Sequence, residues 1–151
     1  MLSIYVTVVI DTNALYQAFR NKDGASHYIF RLIRERKLRM AISVPVFTEY
    51  QDVITREKTR KDLSLSKADS NSILEFIAYI GIPYATHFSF RPNLRDENDN
   101  IFVELAVASN ANFVITNNIK DFTLGNELKF QDVKVTTLSD FARIWRKKYE
   151  K

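Results

Sequence analysis

The sequence predicts an α/β domain: a central, mostly parallel sheet flanked by helices on both faces. Short apolar, β-branched runs alternate along the chain with segments of helical periodicity. The strongest of these runs stop at a polar residue: Asp11, Ser43 or Thr116. Sites in parallel sheets form beyond the carboxyl ends of the strands, so all three positions are of interest. With 151 residues, 46% hydrophobic and 26% charged, the chain suffices for one well-cored domain spanning 1–151 and is unlike a disordered or fibrous protein.

In order, Ile4 to Ile10 reads as a buried strand, apolar from Val6 to Ile10 except at Thr7. A helix starts at Ala14 and reaches Phe19, and a turn lies around Gly24. Ser26 is placed to cap a helix through Glu35. Leu38 to Ser43 is a second strand. Val44 and Pro45 open a third helix, since proline suits a first helical turn. A helix begins near Ser66 and stops at Gly81, with Ile73, Phe76, Ile77 and Ile80 at helical spacing. A short strand is expected near Tyr84 to His87, a helix over Ile101 to Ser109, and a buried strand over Asn112 to Thr116. Lys134 to Leu138 reads as a further strand. A basic helix follows at 138–150, with Ser139 as candidate cap. No repeats or linker-like tracts divide the chain.

Composition narrows the chemistry. The absence of cysteine excludes disulfides, thiolate metal sites and cysteine nucleophiles, and suits a reducing compartment. With two histidines, His27 and His87, a zinc site would be poor in ligands, so a metal here would be held by oxygen. The apolar run at the N-terminus is cut at Asp11 and lacks a basic leader, unlike a signal peptide. No segment reaches the roughly 18 apolar residues of a membrane span. A cytoplasmic protein that does not enter membranes is expected. The net charge of +4 suits either a nucleic-acid partner or an ordinary solvated surface.

Four segments carry acids or their partners. Asp11 follows the first strand, where it is either a helix cap or a carboxylate at the edge of a site. Glu49 lies between Val46 and Val53 at helical spacing, so it either reaches solvent at a boundary or needs a partner beside the apolar stripe. In "RDENDNIFVELA", Asp96, Glu97 and Asp99 crowd a helix start, where the helix dipole welcomes them. Asp99 heads the inward face formed by Phe102, Val103, Ala106 and Val107. Asp96 points outside, and Glu104 is placed on the flank. In "VITNNIKDF", Thr116, Asn117, Asn118 and Asp121 end a strand, as turn formers or as a polar cluster. Together these segments bring acids to one sheet edge. Carboxylates that close do not all ionise comfortably, and a divalent cation resolves the conflict. The "DENDN" loop does not fit an EF-hand, because Ile101 and Val107 stand where glycine and glutamate are required. A glycine-rich phosphate loop is also missing, since the glycines are Gly24, Gly81 and Gly125.

The succession "VVIDTNAL", "VPVFTEYQDV" and "RDENDNIFVELAVASNANFVITNNIKDF" resembles the PIN domain family over roughly Val8 to Leu138, most of all the PIN-type toxins of toxin–antitoxin pairs. The resemblance implies a three-layer PIN-like fold and a ribonuclease dependent on Mg²⁺ or Mn²⁺. It also implies RNA as substrate, a cognate antitoxin and a homodimer. Asp11, Glu49 and Asp99 match the family's acids, with Asp96 a neighbouring candidate for the metal. Asp121 matches an aspartate that some relatives carry three residues after an asparagine such as Asn118; in others the aspartate stands at the Asn118 position itself.

On this basis the catalytic candidates are Asp11, Glu49, Asp99 and Asp121. The metal candidates are Asp11, Glu49, Asp99 and Asp96. Thr12, Asn13, Thr116 and Asn118 are expected either to orient the carboxylates or to serve as turn and cap residues. A basic rim for RNA is expected at Arg56, Arg60, Lys61 and Arg146, though such runs also form plain solvated surfaces. One alternative is a PIN-like module that binds RNA or protein without cutting. Another is an aspartyl-phosphate enzyme built on Asp11, which would want a second aspartate where Asn13 stands.

Overall fold

The structure is a computed structural model that describes residues 5–21, 24–86, 100–120 and 133–150. Among them, five strands form one all-parallel sheet: β1 (Thr7–Ile10), β2 (Arg39–Ile42), β3 (Ile82–Pro83), β4 (Phe113–Ile115) and β5 (Lys134–Thr136). Their order is β3-β2-β1-β4-β5. Every residue of β1 and β4 is buried, the expected pattern for central parallel strands covered on both sides. The chain leaves β1 toward β2 on one side and later returns to β4 on the other. The sheet's topological switch point therefore lies between β1 and β4, and Asp11 and Thr116 follow those two strands directly.

The helices are α1 (Thr12–Arg20), α2 (Gly24–Arg34), α3 (Val44–Ile54), α4 (Glu57–Leu63), α5 (Lys67–Ile80), α6 (Asn100–Ser109) and α7 (Leu138–Tyr149). α6 packs on β1, β2, β4 and α3, and α2 packs on α7. α5 starts on a reciprocal capping box. There the Ser66 hydroxyl accepts from the Asp69 N–H at 3.0 Å, and the Asp69 carboxylate accepts from the Ser66 N–H at 2.9 Å. That bond network holds the Asp69 carboxyl below its usual range. At the other end of α5, a Cβ on Gly81 would come within 2.7 Å of Ile42 Cδ1 and 2.9 Å of the Ile77 carbonyl. Glycine stands there because helix and strand pass that closely.

The structure corrects several expectations. α2 begins at Gly24, so Ser26 is a buried residue of its first turn and not its cap. The third strand is Ile82–Pro83, and Tyr84 to Thr86 lie beyond it; His87 is outside the described residues. The cap of α7 is Thr137, whose hydroxyl accepts from the Asp140 N–H at 3.1 Å; Ser139 sits inside the helix. Glu104 is buried and not on an open flank, because α6 is enclosed from Phe102 through Ala106. No described helix is long and apolar enough to cross a membrane.

Candidate active site

A cleft of about 720 Å³ opens at the carboxyl edge of the sheet. Asp11, Thr12, Asn13 and Glu49 are among its lining residues. Asp11 holds the N-cap position of α1, yet its side chain makes no capping bond. Its carboxylate instead accepts a 2.6 Å hydrogen bond from the Thr116 hydroxyl across the switch point. The Thr116 oxygen in turn accepts from the backbone N–H of Asn118 at 3.0 Å, which fixes the direction of the hydroxyl proton toward Asp11. Asn118 thus contributes through its main chain. Asp11 is only 3% exposed, far drier than a carboxylate half in water.

Glu49 reaches the cleft from α3. The N-terminus of that helix is capped by Ser43, whose hydroxyl accepts from the Val46 N–H at 3.3 Å. One residue further on, the fully buried Tyr50 hydroxyl donates to the carbonyl of Ile10, the last residue of β1. This bond pins α3 to the strand that carries Asp11. Burial raises the Tyr50 pKa well above its usual value, and the carboxylates of Asp11 and Glu49 add to the effect. Both acids therefore act on one hydroxyl, which stays protonated and donating at any pH where the protein works. Tyr28, under α7, is pushed up to about 12 by burial first and then by Glu150. Both tyrosines ionise more readily in the unfolded chain. Their share of stability is therefore intact below pH 10 and lost as pH rises above it, for Tyr28 between 10 and about 12. Thermal unfolding measured across that window, with phenolate absorbance, should show loss of fold accompanying ionisation.

The sequence-designated residues divide as follows. Asp11, Glu49, Thr12 and Asn13 line the cleft, and Thr116 and Asn118 bond behind Asp11. The Asn13 carbonyl accepts from the Asn117 side chain at 3.4 Å. Asp96, Asp99 and Asp121 lie outside the described residues, among which no group of three acids or histidines is arranged to hold a metal ion. Arg56 lines the cleft but is held by Asp52 at 2.5 Å. Lys61 pairs with Glu57 at 3.3 Å and, with Arg60, borders a separate hollow on α4. Arg146 lies 4.3 Å over the Tyr28 ring, away from the cleft. The four cations do not form one rim.

Other lining residues were not singled out from sequence. Tyr16 and Arg20 follow Asn13 at i+3 and i+7, one face of α1, and that spacing was a readable signal. Asp62 of α4 accepts a hydrogen bond from Tyr16 and pairs with Arg20 at 3.5 Å, closing the far wall.

The donor set fits a hard divalent cation. Asp11 and Glu49 supply carboxylate oxygens. Beside them the buried Thr12 hydroxyl oxygen has no hydrogen-bond partner among the described residues. The Thr116 bond has a measurable value. Thr116→Val keeps the shape but leaves a buried carboxylate short of a donor, so unfolding free energy should fall by about 1.5–3 kcal/mol. Metal affinity should fall about tenfold or more, since ligands lose their orienting partners. Thr116→Ser should restore both in urea unfolding and Mn²⁺ titration.

Over residues 7–120 the chain matches the family model described as PIN domain, and it belongs to that family. PIN domains are generally nucleases, and those nucleases generally use divalent metal ions. An uncharacterised protein of Methanocaldococcus jannaschii, MJ1680, is 30% identical over 97% of this chain and 96% of its own length. Among solved structures the fold is similar to VapBC2 of Rickettsia felis bound to a DNA fragment from its promoter. There the TM-score is 0.62 at 18% identity, covering 87% of this chain and 98% of the other. PAE2754 of Pyrobaculum aerophilum gives a TM-score of 0.55 at 15% identity, covering 95% and 91%.

Proposed function

We propose that this protein is an Mg²⁺- or Mn²⁺-dependent endoribonuclease, the toxin of a toxin–antitoxin pair acting in the cytoplasm. The observation that carries this reading is the use made of Asp11. A carboxylate at the N-terminus of a helix ordinarily caps it. Here it is turned away, buried, and held by Thr116 with Glu49 in the same cleft. Such an arrangement stores negative charge at a strand edge for a cation. The bound ion would supply water activation and neutralisation of charge on the phosphoryl oxygens. Asp11 and Glu49 would hold it, joined by Asp99 or Asp96 from the head of α6. Asp121 would orient the attacking water. Tyr50 and Thr116 keep the two described acids in place, and Lys58 offers the phosphate backbone a cation at the cleft wall. The resemblance to the PIN-type toxins supports products with a 5′-phosphate and a 3′-hydroxyl, and supports a homodimer. The antitoxin partner draws support from the fold similarity to VapBC2, a protein pair of that kind.

The test is incubation of the purified protein with single-stranded RNA and Mg²⁺ or Mn²⁺. Cleavage is expected with either ion and should stop on adding EDTA. Cleavage that survives EDTA overturns the reading, whereas Mn²⁺ binding with no cleavage assigns a non-catalytic binding module instead.

A further inference from the structure

Among the described residues, the acidic cleft offers RNA little free positive charge. Of its described cations, Arg20 and Arg56 pair with Asp62 and Asp52, leaving Lys58. At the opposite edge of the sheet the balance is reversed. Tyr5 precedes β1 and Arg39 opens β2, so this edge lies at the amino ends of the strands. From Tyr5 to Asp11 is six residues of extended chain, roughly 20 Å. Here the end of α2 and the turn after it present Arg31, Arg34 and Arg36, joined by Arg39 and by Arg146 of α7. Among the described residues, none of these five guanidiniums has a carboxylate at ion-pair distance. The acid at hand, Glu35, is paired with Lys37 at 3.6 Å; Glu150 acts on Tyr28 beside Arg146.

These arginines border two adjoining hollows of about 400 and 280 Å³ that share Arg34 and have no residue in common with the acidic cleft. Aromatic faces accompany the charge. Arg39 lies 3.7 Å over the Tyr5 ring and Arg146 lies 4.3 Å over Tyr28. Tyr5 is 51% and Tyr79 76% exposed, both lining the smaller hollow. A guanidinium stacked on a ring keeps its N–H edge for phosphate. An exposed tyrosine in a basic groove suits the face of an unstacked base, which a duplex does not offer.

We infer that this edge is a second binding surface for single-stranded RNA, in which Arg31, Arg34 and Arg36 hold phosphates and Tyr79 and Tyr5 stack bases. It rests on the reading of RNA as substrate. It would hold a long RNA on the protein while a distant segment enters the acidic cleft.

The experiment uses the full chain and a fluorescent, unstructured single-stranded RNA long enough to span both edges, in EDTA so that nothing is cut. Reversing charge at Arg31→Glu with Arg34→Glu should weaken binding about tenfold or more and lower the slope of log affinity against log salt by about two. Arg31→Lys with Arg34→Lys should keep the slope, and matching melting curves exclude misfolding as the cause. Tyr79→Ala should weaken binding about fivefold or more without changing the slope, and should not weaken binding of duplex RNA. Unchanged RNA affinity in the charge-reversed variant overturns the proposal. So does a loss of self-association with RNA binding intact, which would make the edge a protein interface. In Mg²⁺, cleavage of a short RNA that fills only the acidic cleft should be untouched by the reversal. If no RNA is cut by the unaltered protein, the ribonuclease reading fails, while the binding measurements still decide this surface.

Discussion

Asp11→Asn is expected to reduce RNA cleavage by about a hundredfold or more while leaving the fold as stable as before, or more so. The two effects have one cause. Asp11 is 3% exposed, and both it and Glu49 press on the Tyr50 hydroxyl. Removing a carboxylate from water costs several kcal/mol unless its partners compensate, and the Thr116 hydroxyl that donates to it at 2.6 Å is a neutral group that bonds an amide oxygen as well. Asparagine keeps the shape and still offers Thr116 an acceptor oxygen, so stability does not depend on the charge. Catalysis does, because a neutral amide neither attracts a divalent ion comparably nor balances its charge near a phosphodiester. Cleavage assays and melting in EDTA on the same preparation check both halves. A variant that cuts normally removes Asp11 from the active site. A variant that melts much earlier makes Asp11 a structural residue.

This separation explains which parts of the molecule were readable in its sequence. β1 was legible because a central parallel strand buries both faces and must be apolar along its length, as Val8, Val9 and Ile10 are. The bounds of α5 were legible because capping is local: Ser66 and Asp69 satisfy one another within one turn. α4 was not legible as a helix. It buries Thr59 alone, so no apolar stripe marks it, and Lys58 and Asp62 read as a run of surface charge until the fold turned them toward the cleft. β3 is two residues long and contains Pro83; its strand character comes from pairing with Ala41 and Ile42, which no local pattern announces. At the site, Asp11 and Glu49 were legible as acids beside apolar stripes. The choice of Thr116 over a cap as the partner of Asp11 was not, since it depends on β4 lying next to β1 across 105 positions of sequence. Asp96, Asp99 and Asp121 stay expectations of the sequence. The scattering of Arg56, Arg60, Lys61 and Arg146 has the same origin as the surprise at Thr116. Charge runs do not say which side of the sheet their helices will cover, and α4 and α7 place theirs in different hollows.

Phe141→Ala is expected to show the converse of Asp11→Asn: a loss of about 3–5 kcal/mol in unfolding free energy, with cleavage per folded molecule little changed at low temperature. Phe141 is fully buried on α7 and meets Phe113 of β4 edge to face at a centroid distance of 4.9 Å, with Trp145 next in the stack at 6.1 Å. Truncation removes the ring's buried area and leaves a cavity that a rigid sheet on one side does not refill. For a domain of ordinary stability that is a large fraction of the whole. Phe113 opens β4, while Thr116, which holds Asp11, lies past its far end. The cavity would therefore form at the amino end of the strand, away from the cleft. Urea unfolding followed by the fluorescence of Trp145, alongside cleavage assayed well below the transition, separates the two quantities. A loss of under about 1 kcal/mol would mean that α7 relaxes into the space. A full loss of cleavage at unchanged folded fraction would mean that β4 transmits core packing to Thr116, and the sheet would then be part of the catalytic apparatus as well as its support.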